Sequence, residues 1–173
     1  MKKNIFYLSI LLFFTFIFTI FYVGLDKPNI YKPKEVKNKN LEEFVSTELI
    51  SNKRFNSKDI IENNNFTLIN IWSSWCAPCR SEHAILMTLS KKTDLNIIGL
   101  NYKDKKNNAI KFLNELGDPF SKNLIDPDGI ISISLGAYGV PESFLLNNKS
   151  SIIRKYIVPL TSDNISEIIK IIQ

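Results

Sequence analysis

The 173 residues contain two cysteines, held in one short run, Cys76-Ala77-Pro78-Cys79. With no others present there is no structural disulfide framework, so these two thiols work with each other. Two thiols one helical turn apart can close into a disulfide and reopen, which is the chemistry of dithiol–disulfide exchange. A metal site is the competing reading. Zinc asks for four ligands; Cys76, Cys79 and His83 would need Glu82 to complete the set, and the chain's single histidine would be consumed. A copper carrier built from two soft thiolates and His83 is a further alternative. The favoured reading needs no metal and no bound cofactor. It leaves His83 on a helix surface, Trp72 in the core, and Trp75, directly before Cys76, lining a docking surface.

The flanking elements decide how reactive such a pair is. Phe66-Thr-Leu-Ile-Asn-Ile-Trp72 is rich in β-branched and aromatic residues and reads as a buried strand. From Cys79 to about Lys91 the spacing is helical, with Ala84, Leu86, Met87 and Leu89 supplying much of the apolar content. The cysteines therefore lie where a strand hands over to a helix. A helix N-terminus offers free N–H groups and partial positive charge, both favouring thiolate over thiol. A thiol of pKa about 8.5 is only about 3% ionised at pH 7; a pKa of about 7 makes it half ionised, a shift of about 2 kcal/mol. Cys76, at the outer position, is the expected nucleophile. Cys79, one turn in, is expected to resolve the mixed disulfide, and Pro78 suits a first turn where a missing N–H costs nothing.

Further along, Asn96–Asn101 reads as a second short buried strand. Residues 105–116 read as a helix with Ala109, Phe112, Leu113 and Leu116 on one face, stopped by Gly117-Asp118-Pro119. Glu142–Asn147 and Ile152–Val158 read as two strands of a hairpin turning through 147–151. Ser162 or Asp163 is expected to cap a last helix that turns Ile165, Ile168, Ile169 and Ile172 inward. Ahead of these, 44–50 suits a short strand, 57–62 a helical turn, and Asn63-Asn64-Asn65 a turn. Strand, helix, strand, helix, then a hairpin and a helix make an α/β fold with a mixed central sheet flanked by helices.

The N-terminal stretch bears on the compartment. Asn4 to Leu25 carries no charge over 22 residues, and as a helix it spans about 33 Å, matching a hydrocarbon core of about 30 Å. Gly24-Leu25-Asp26-Lys27 offers no small-residue cleavage site, so an uncleaved membrane anchor over 1–25 is expected. Lysines lie on both sides, Lys2 and Lys3 before and Lys27, Lys32, Lys34, Lys37 and Lys39 after, so the positive-inside rule does not orient it. Residues 26–40, with Pro28 and Pro33, suit an extended tether to a domain over 41–173. A composition 45% hydrophobic supports a real core. The net charge of +5 is mild and unclustered, which argues against a nucleic-acid surface. No Pro-x-x-x-Ser/Thr-x-x-Cys run occurs, which disfavours a peroxidase.

The run Trp75-Cys-Ala-Pro-Cys-Arg80 after Ile69-Asn-Ile-Trp72 resembles thioredoxins. The fuller resemblance is to the CcmG/DsbE type, membrane-anchored thioredoxins of cytochrome c maturation. It is carried by Trp75–His83, Gly99-Leu-Asn-Tyr-Lys-Asp104, Leu113–Phe120 and Gly136-Ala-Tyr-Gly-Val-Pro-Glu-Ser-Phe144, in order across about 41–173, and the N-terminal anchor is also similar. That resemblance implies a thioredoxin-like fold with the domain in the periplasm, held single-pass at the inner membrane. It implies that Pro141, after Val140, is a cis-proline beside the cysteines that helps bind a client backbone. Glu82, Tyr138 and Glu142 match the family's acidic and aromatic surroundings. The implied client is apocytochrome c, whose Cys-x-x-Cys-His haem site must be reduced, or an accessory maturation factor, with electrons from a membrane thiol donor. A general periplasmic reductase or oxidase is the alternative, and a metal-carrier module on the same fold a lesser one. Three departures stand out: Ser143 where Thr is commoner, Ala-Pro between the cysteines, and Asn70 where many thioredoxins bury an Asp six residues before the first cysteine. Asn cannot take a proton, so Glu82 is expected to influence Cys79 ionisation instead, unless it is a plain surface glutamate.

Overall fold

The computed structural model describes residues 2–25 and 40–173, in two compact units that divide between residues 35 and 36. The first unit's described part is one helix, α1 (Lys2–Leu25), long and apolar enough over Lys3–Gly24 to cross a membrane. The tether expected at 26–40 lies, but for Asn40, outside the described residues.

In the second unit the elements run β1 (Val45–Thr47), β2 (Arg54–Asn56), α2 (Ser57–Glu62), β3 (Phe66–Trp72), α3 (Ala77–Lys92), β4 (Asn96–Tyr102) and α4 (Lys106–Leu116). They continue with β5 (Lys122–Asp126), α5 (Ile130–Leu135), β6 (Glu142–Asn147), β7 (Ile152–Tyr156) and α6 (Ser162–Ile172). Five strands form one mixed sheet in the order β5-β4-β3-β6-β7; β3, β4 and β5 are parallel, and β6 and β7 run antiparallel to their neighbours. This is a thioredoxin-like arrangement, with the cysteine-bearing strand at its centre.

Both faces of the sheet are covered, which is why β3, apart from Thr67 and Asn70, reads as an apolar run rather than an alternating one. Leu68 and Trp72 pack with Leu86, Phe112 and Ile168 of α3, α4 and α6, whereas Ile69 and Ile71 pack with Ile60, Ile61 and Leu135 of α2 and α5. The two-residue period of a strand sorts these side chains into two cores. Asn70 falls on the same face as Leu68 and Trp72, toward α3. The β1–β2 ribbon lies along β5: Leu49 N–H donates to Asn123 O and Ser46 Oγ to Ile125 O. It covers what would otherwise be an open parallel edge.

Gly99 in β4 shows how tightly one face is filled. A Cβ there would come within 2.6 Å of Asn123 Oδ1, 2.8 Å of Trp72 Nε1 and 2.9 Å of the Phe120 ring, so only a residue without a side chain lets these groups approach.

The structure departs from the sequence reading in several elements. Local pattern does not predict β2, β5 or α5: β2 is three residues long, β5 carries only Leu124 and Ile125 as apolar residues, and α5 has only six residues in all. The α6 N-cap is Thr161, whose hydroxyl and backbone N–H exchange hydrogen bonds with Asn164 in a capping box, and not Ser162 or Asp163. Within α3, Ala84 faces outward; the buried stripe is Cys79, Glu82, His83, Leu86 and Leu89.

Candidate active site

The approach to the cysteines is held by hydrogen bonds to the loop after β4. Ser73 Oγ donates to Tyr102 O. Asp104 accepts from Ser74 N–H, from Ser74 Oγ at 2.8 Å, and from Asn101 Nδ2 at 3.1 Å and Lys105 N–H at 2.8 Å. Trp75 is 59% exposed, and its indole N–H donates to Lys103 O at 3.1 Å. Asp104 thereby gathers donors from two loops, fixing where β3 releases the chain into α3.

Cys76 and Cys79 are joined in a disulfide. Cys76 is the N-cap of α3, with extended backbone (φ −88°, ψ 107°), and its Sγ accepts the Cys79 N–H at 3.1 Å. Ala77 and Pro78 occupy the first two helical positions, where a proline loses no intrahelical bond. Both cysteines are buried in this state, Cys76 at 4% exposure and Cys79 at 2%. Pro78 and Trp75 stand exposed beside them in sequence.

Beneath Cys79, one turn along the same stripe of α3, Glu82 is 2% exposed. The surface alternative for this residue is thus corrected. Its Oε1 accepts from Asn70 Nδ2 at 2.8 Å and its Oε2 from Leu160 N–H at 2.7 Å, while Asn70 Nδ2 also donates to Ser143 Oγ at 2.9 Å. Burial pushes the Glu82 carboxyl above the ordinary carboxylate range, and the bonds from Leu160 and Asn70 pull the other way.

His83 requires a second correction: it is 3% exposed and not on a helix surface. Its ring meets Phe112 edge-on with centroids 5.0 Å apart and Phe120 at 6.2 Å, and Nε2 lies 2.9 Å from Gly117 O. Burial lowers its pKa, against the opposing influence of Gly117 O and Asp118. Among the described residues no group of three His, Cys, Asp or Glu side chains is placed to hold a metal ion. His83 and Glu82 already have protein partners of their own.

The segment from Gly136 to Glu142 supplies the other residues singled out. Tyr138 is 54% exposed, Val140 half-buried and Pro141 buried, and the Val140–Pro141 peptide is cis. Glu142 is buried; its Oε1 accepts from Tyr138 N–H at 2.7 Å and Gly139 N–H at 3.1 Å, and its Oε2 lies 2.9 Å from Lys155 Nζ. Sequence reasoning missed Lys155, which sits beside Arg154 in a strand and looks like any charged residue of a solvated face. It missed Leu160 too, since a backbone N–H leaves no signature in residue type.

Comparison with known proteins is consistent with this geometry. The family model described as Redoxin matches residues 37–172. A thiol:disulfide interchange protein CycY from Rhizobium leguminosarum bv. viciae is 46% identical over 101 residues, 58% of this chain and 54% of that one. The chain thus spans about half the length of that relative. A thiol:disulfide interchange protein DsbE from Allochromatium vinosum is 33% identical over 82% of this chain and 77% of its own length. Among solved structures, a DsbF homologue from Corynebacterium diphtheriae superimposes with a TM-score of 0.68 at 23% identity, covering 83% of this chain and 95% of that one. At that identity it speaks for the fold alone.

Proposed function

The chain belongs to the redoxin family, and on that footing we propose that it is a thiol–disulfide oxidoreductase working through Cys76 and Cys79. The observation that carries this reading is the Cys79 N–H directed at Cys76 Sγ from the first turn of a 16-residue helix. In the reduced protein the same N–H and the helix terminus stabilise negative charge on Cys76 Sγ.

Reduction of a client then runs in two exchanges. The Cys76 thiolate attacks one sulfur of the client disulfide, and the other client sulfur leaves as thiolate. Cys79, once deprotonated, attacks Cys76 Sγ; the Cys76–Cys79 disulfide forms and the second client thiol is released. Two electrons pass from the protein dithiol to the client, and the two client thiolates take up the protons. Glu82, three residues after Cys79 on the same buried stripe, is the group proposed to influence Cys79 ionisation. Its carboxyl is biased toward protonation by burial. Asn70, which holds Glu82, cannot itself take a proton. Trp75, Pro78, Tyr138, Val140, Pro141 and Glu142 are proposed to form the surroundings in which the client lies.

Resemblance to the CcmG/DsbE type supports the finer proposal: α1 anchors the domain at the periplasmic face of the inner membrane. The client there is the haem-site disulfide of apocytochrome c or of a maturation factor, and a membrane thiol donor regenerates the dithiol. Trapping tests it. In anchored protein with Cys79→Ala, the mixed disulfide on Cys76 cannot resolve, and the captured partners identify the client. Apocytochromes c or their maturation factors are the expected catch. A broad set of unrelated secreted proteins would replace this client with general disulfide exchange.

A further inference from the structure

Lys155 lies on β7, an edge strand of the sheet, yet its side chain is only 8% exposed. A lysine ammonium is rarely buried without compensation, because desolvation is costly unless partners replace the lost water. Here the partners nearest the charge all belong to one segment. Nζ is 2.9 Å from Glu142 Oε2 and donates to Gly136 O at 2.8 Å, and it stands 4.0 Å from the centroid of the Tyr138 ring. The Phe144 ring lies farther off, at 5.4 Å. Glu142 in turn receives the N–H groups of Tyr138 and Gly139. The ammonium and the carboxylate thus hold both ends and the middle of 136–142, the segment that carries Tyr138, Val140 and Pro141.

We propose that Lys155 is a positioning residue for client docking, setting the path of the 136–141 backbone and the attitude of the Tyr138 ring without itself meeting the client. This rests on the reading of 138–142 as client surroundings given above. Three of its features point to positioning over simple stability. The cation is bonded to a backbone carbonyl of the segment as well as to a side chain. The ring it faces is one of the exposed aromatics of the domain. Replacing a buried ion pair by apolar side chains of similar volume is often neutral or stabilising, so stability is a weak account of this one.

The test compares the full chain with two variants, Lys155→Met and the double variant Glu142→Gln with Lys155→Met. The double variant removes the cation without leaving a buried carboxylate unpaired, and the amide oxygen of the introduced glutamine can still accept from Tyr138 and Gly139. For each reduced protein the rate constants are measured with an oxidised Cys-x-x-Cys-His peptide and with oxidised glutathione, whose two γ-linked tripeptides offer no continuous Cys-x-x-Cys backbone to lie along the segment. The ratio of peptide rate to glutathione rate is the readout, because general loss of folded protein lowers both rates together. Both variants are expected to lower the ratio about tenfold, the scale of a modest misplacement of a bound reactant. A ratio that stays at the wild-type value in either variant overturns the proposal. So does a fall in the single variant that the double variant restores, since that marks an unpaired carboxylate as the cause. Should Lys155→Met fail to fold, the double variant read against Glu142→Gln alone decides, and equal ratios in those two overturn the proposal. If the wild-type protein reduces glutathione but not the peptide, the client reading fails and the proposal falls with it.

Discussion

Asn70 Nδ2 donates to Glu82 Oε1 at 2.8 Å, joining the central strand β3 to the helix that begins at the cysteine pair. Both residues are buried, at 0% and 2% exposure. The contact divides a task between two side chains: the strand position contributes a donor that holds the carboxylate, and the helix position contributes the carboxylate itself. A single buried acid on the strand would have to be both ionisable and self-oriented. In this chain the acid is further held by Leu160 N–H at 2.7 Å, from the segment entering α6.

The pH dependence of stability follows from Glu82. Its folded pKa is raised above the ordinary 4.5, chiefly by burial. The folded state therefore favours the protonated acid, and stability is greatest below about 4.5 and declines as pH rises through the folded value. Glu82→Gln lacks that decline. In urea denaturation of the oxidised protein, the stability of Glu82→Gln relative to wild type is expected to improve as pH rises above 4.5 and to level off once pH has passed the folded value. The same variant is expected to slow resolution of a Cys76 mixed disulfide, read by quenched-flow trapping. A flat stability difference and an unchanged resolution rate would remove Glu82 from both roles.

His83 gives the opposite slope. Burial lowers its folded pKa from 6.5, so the folded state binds fewer protons than the unfolded one. The stability His83 contributes is complete above 6.5 and is lost as pH falls through that value toward the folded pKa. His83→Phe keeps a ring against Phe112 and Phe120 but loses the contact to Gly117 O. It is expected to cost about 1 kcal/mol at about pH 7.5, the net worth of one hydrogen bond, with the difference shrinking by about pH 5.5. The chain has one histidine, so the change in slope has a single source. Equal differences at the two pH values would mean that the ring takes up its proton as readily in the folded state as in the unfolded one.

Asp104 is tested through its donors. Asp104→Ala leaves the N–H groups of Ser74 and Lys105, the Ser74 hydroxyl and the Asn101 amide without their acceptor. A cost of about 1–3 kcal/mol in urea denaturation is expected, the range for stranding partly buried donors. Trp75 fluorescence should change with it, because Lys103, the neighbour of Asp104, holds the indole N–H.

Gly99→Ala probes the packed face of β4. The new Cβ would press on Asn123, Trp72 and Phe120 at 2.6 to 2.9 Å. Overpacking of this kind costs about 1–3 kcal/mol, expected here as a lower thermal midpoint in the oxidised protein. An unchanged midpoint would show that the three neighbours yield without strain.

Much of the sheet and of the site was legible from local pattern. The β-branched and aromatic run of 66–72, the helical spacing after Cys79 and the turn residues between β6 and β7 each act within a few residues. These local signals suffice to put the cysteines at the strand-to-helix junction that the structure shows. β5 is not legible in this way, because two apolar residues in five carry no periodic signal, and the strand forms only because β4 and the β1–β2 ribbon offer it hydrogen bonds on both sides.

Residue types along the chain by themselves determined the paired thiols, their place at a helix N-terminus and the apolar N-terminal helix, since composition and short-range spacing are enough for each. Only the tertiary structure decided which polar side chains go inside and what they meet. Glu82 and His83 look like surface residues on a mixed helix, yet the packing of α3 against β3 and α4 turns them inward. One partner of Glu82 is a backbone N–H 78 residues away, and one partner of Glu142 is a lysine on the next strand. A buried polar group must be hydrogen-bonded, but its partner is chosen by packing between distant segments, and no local pattern in the chain records that choice.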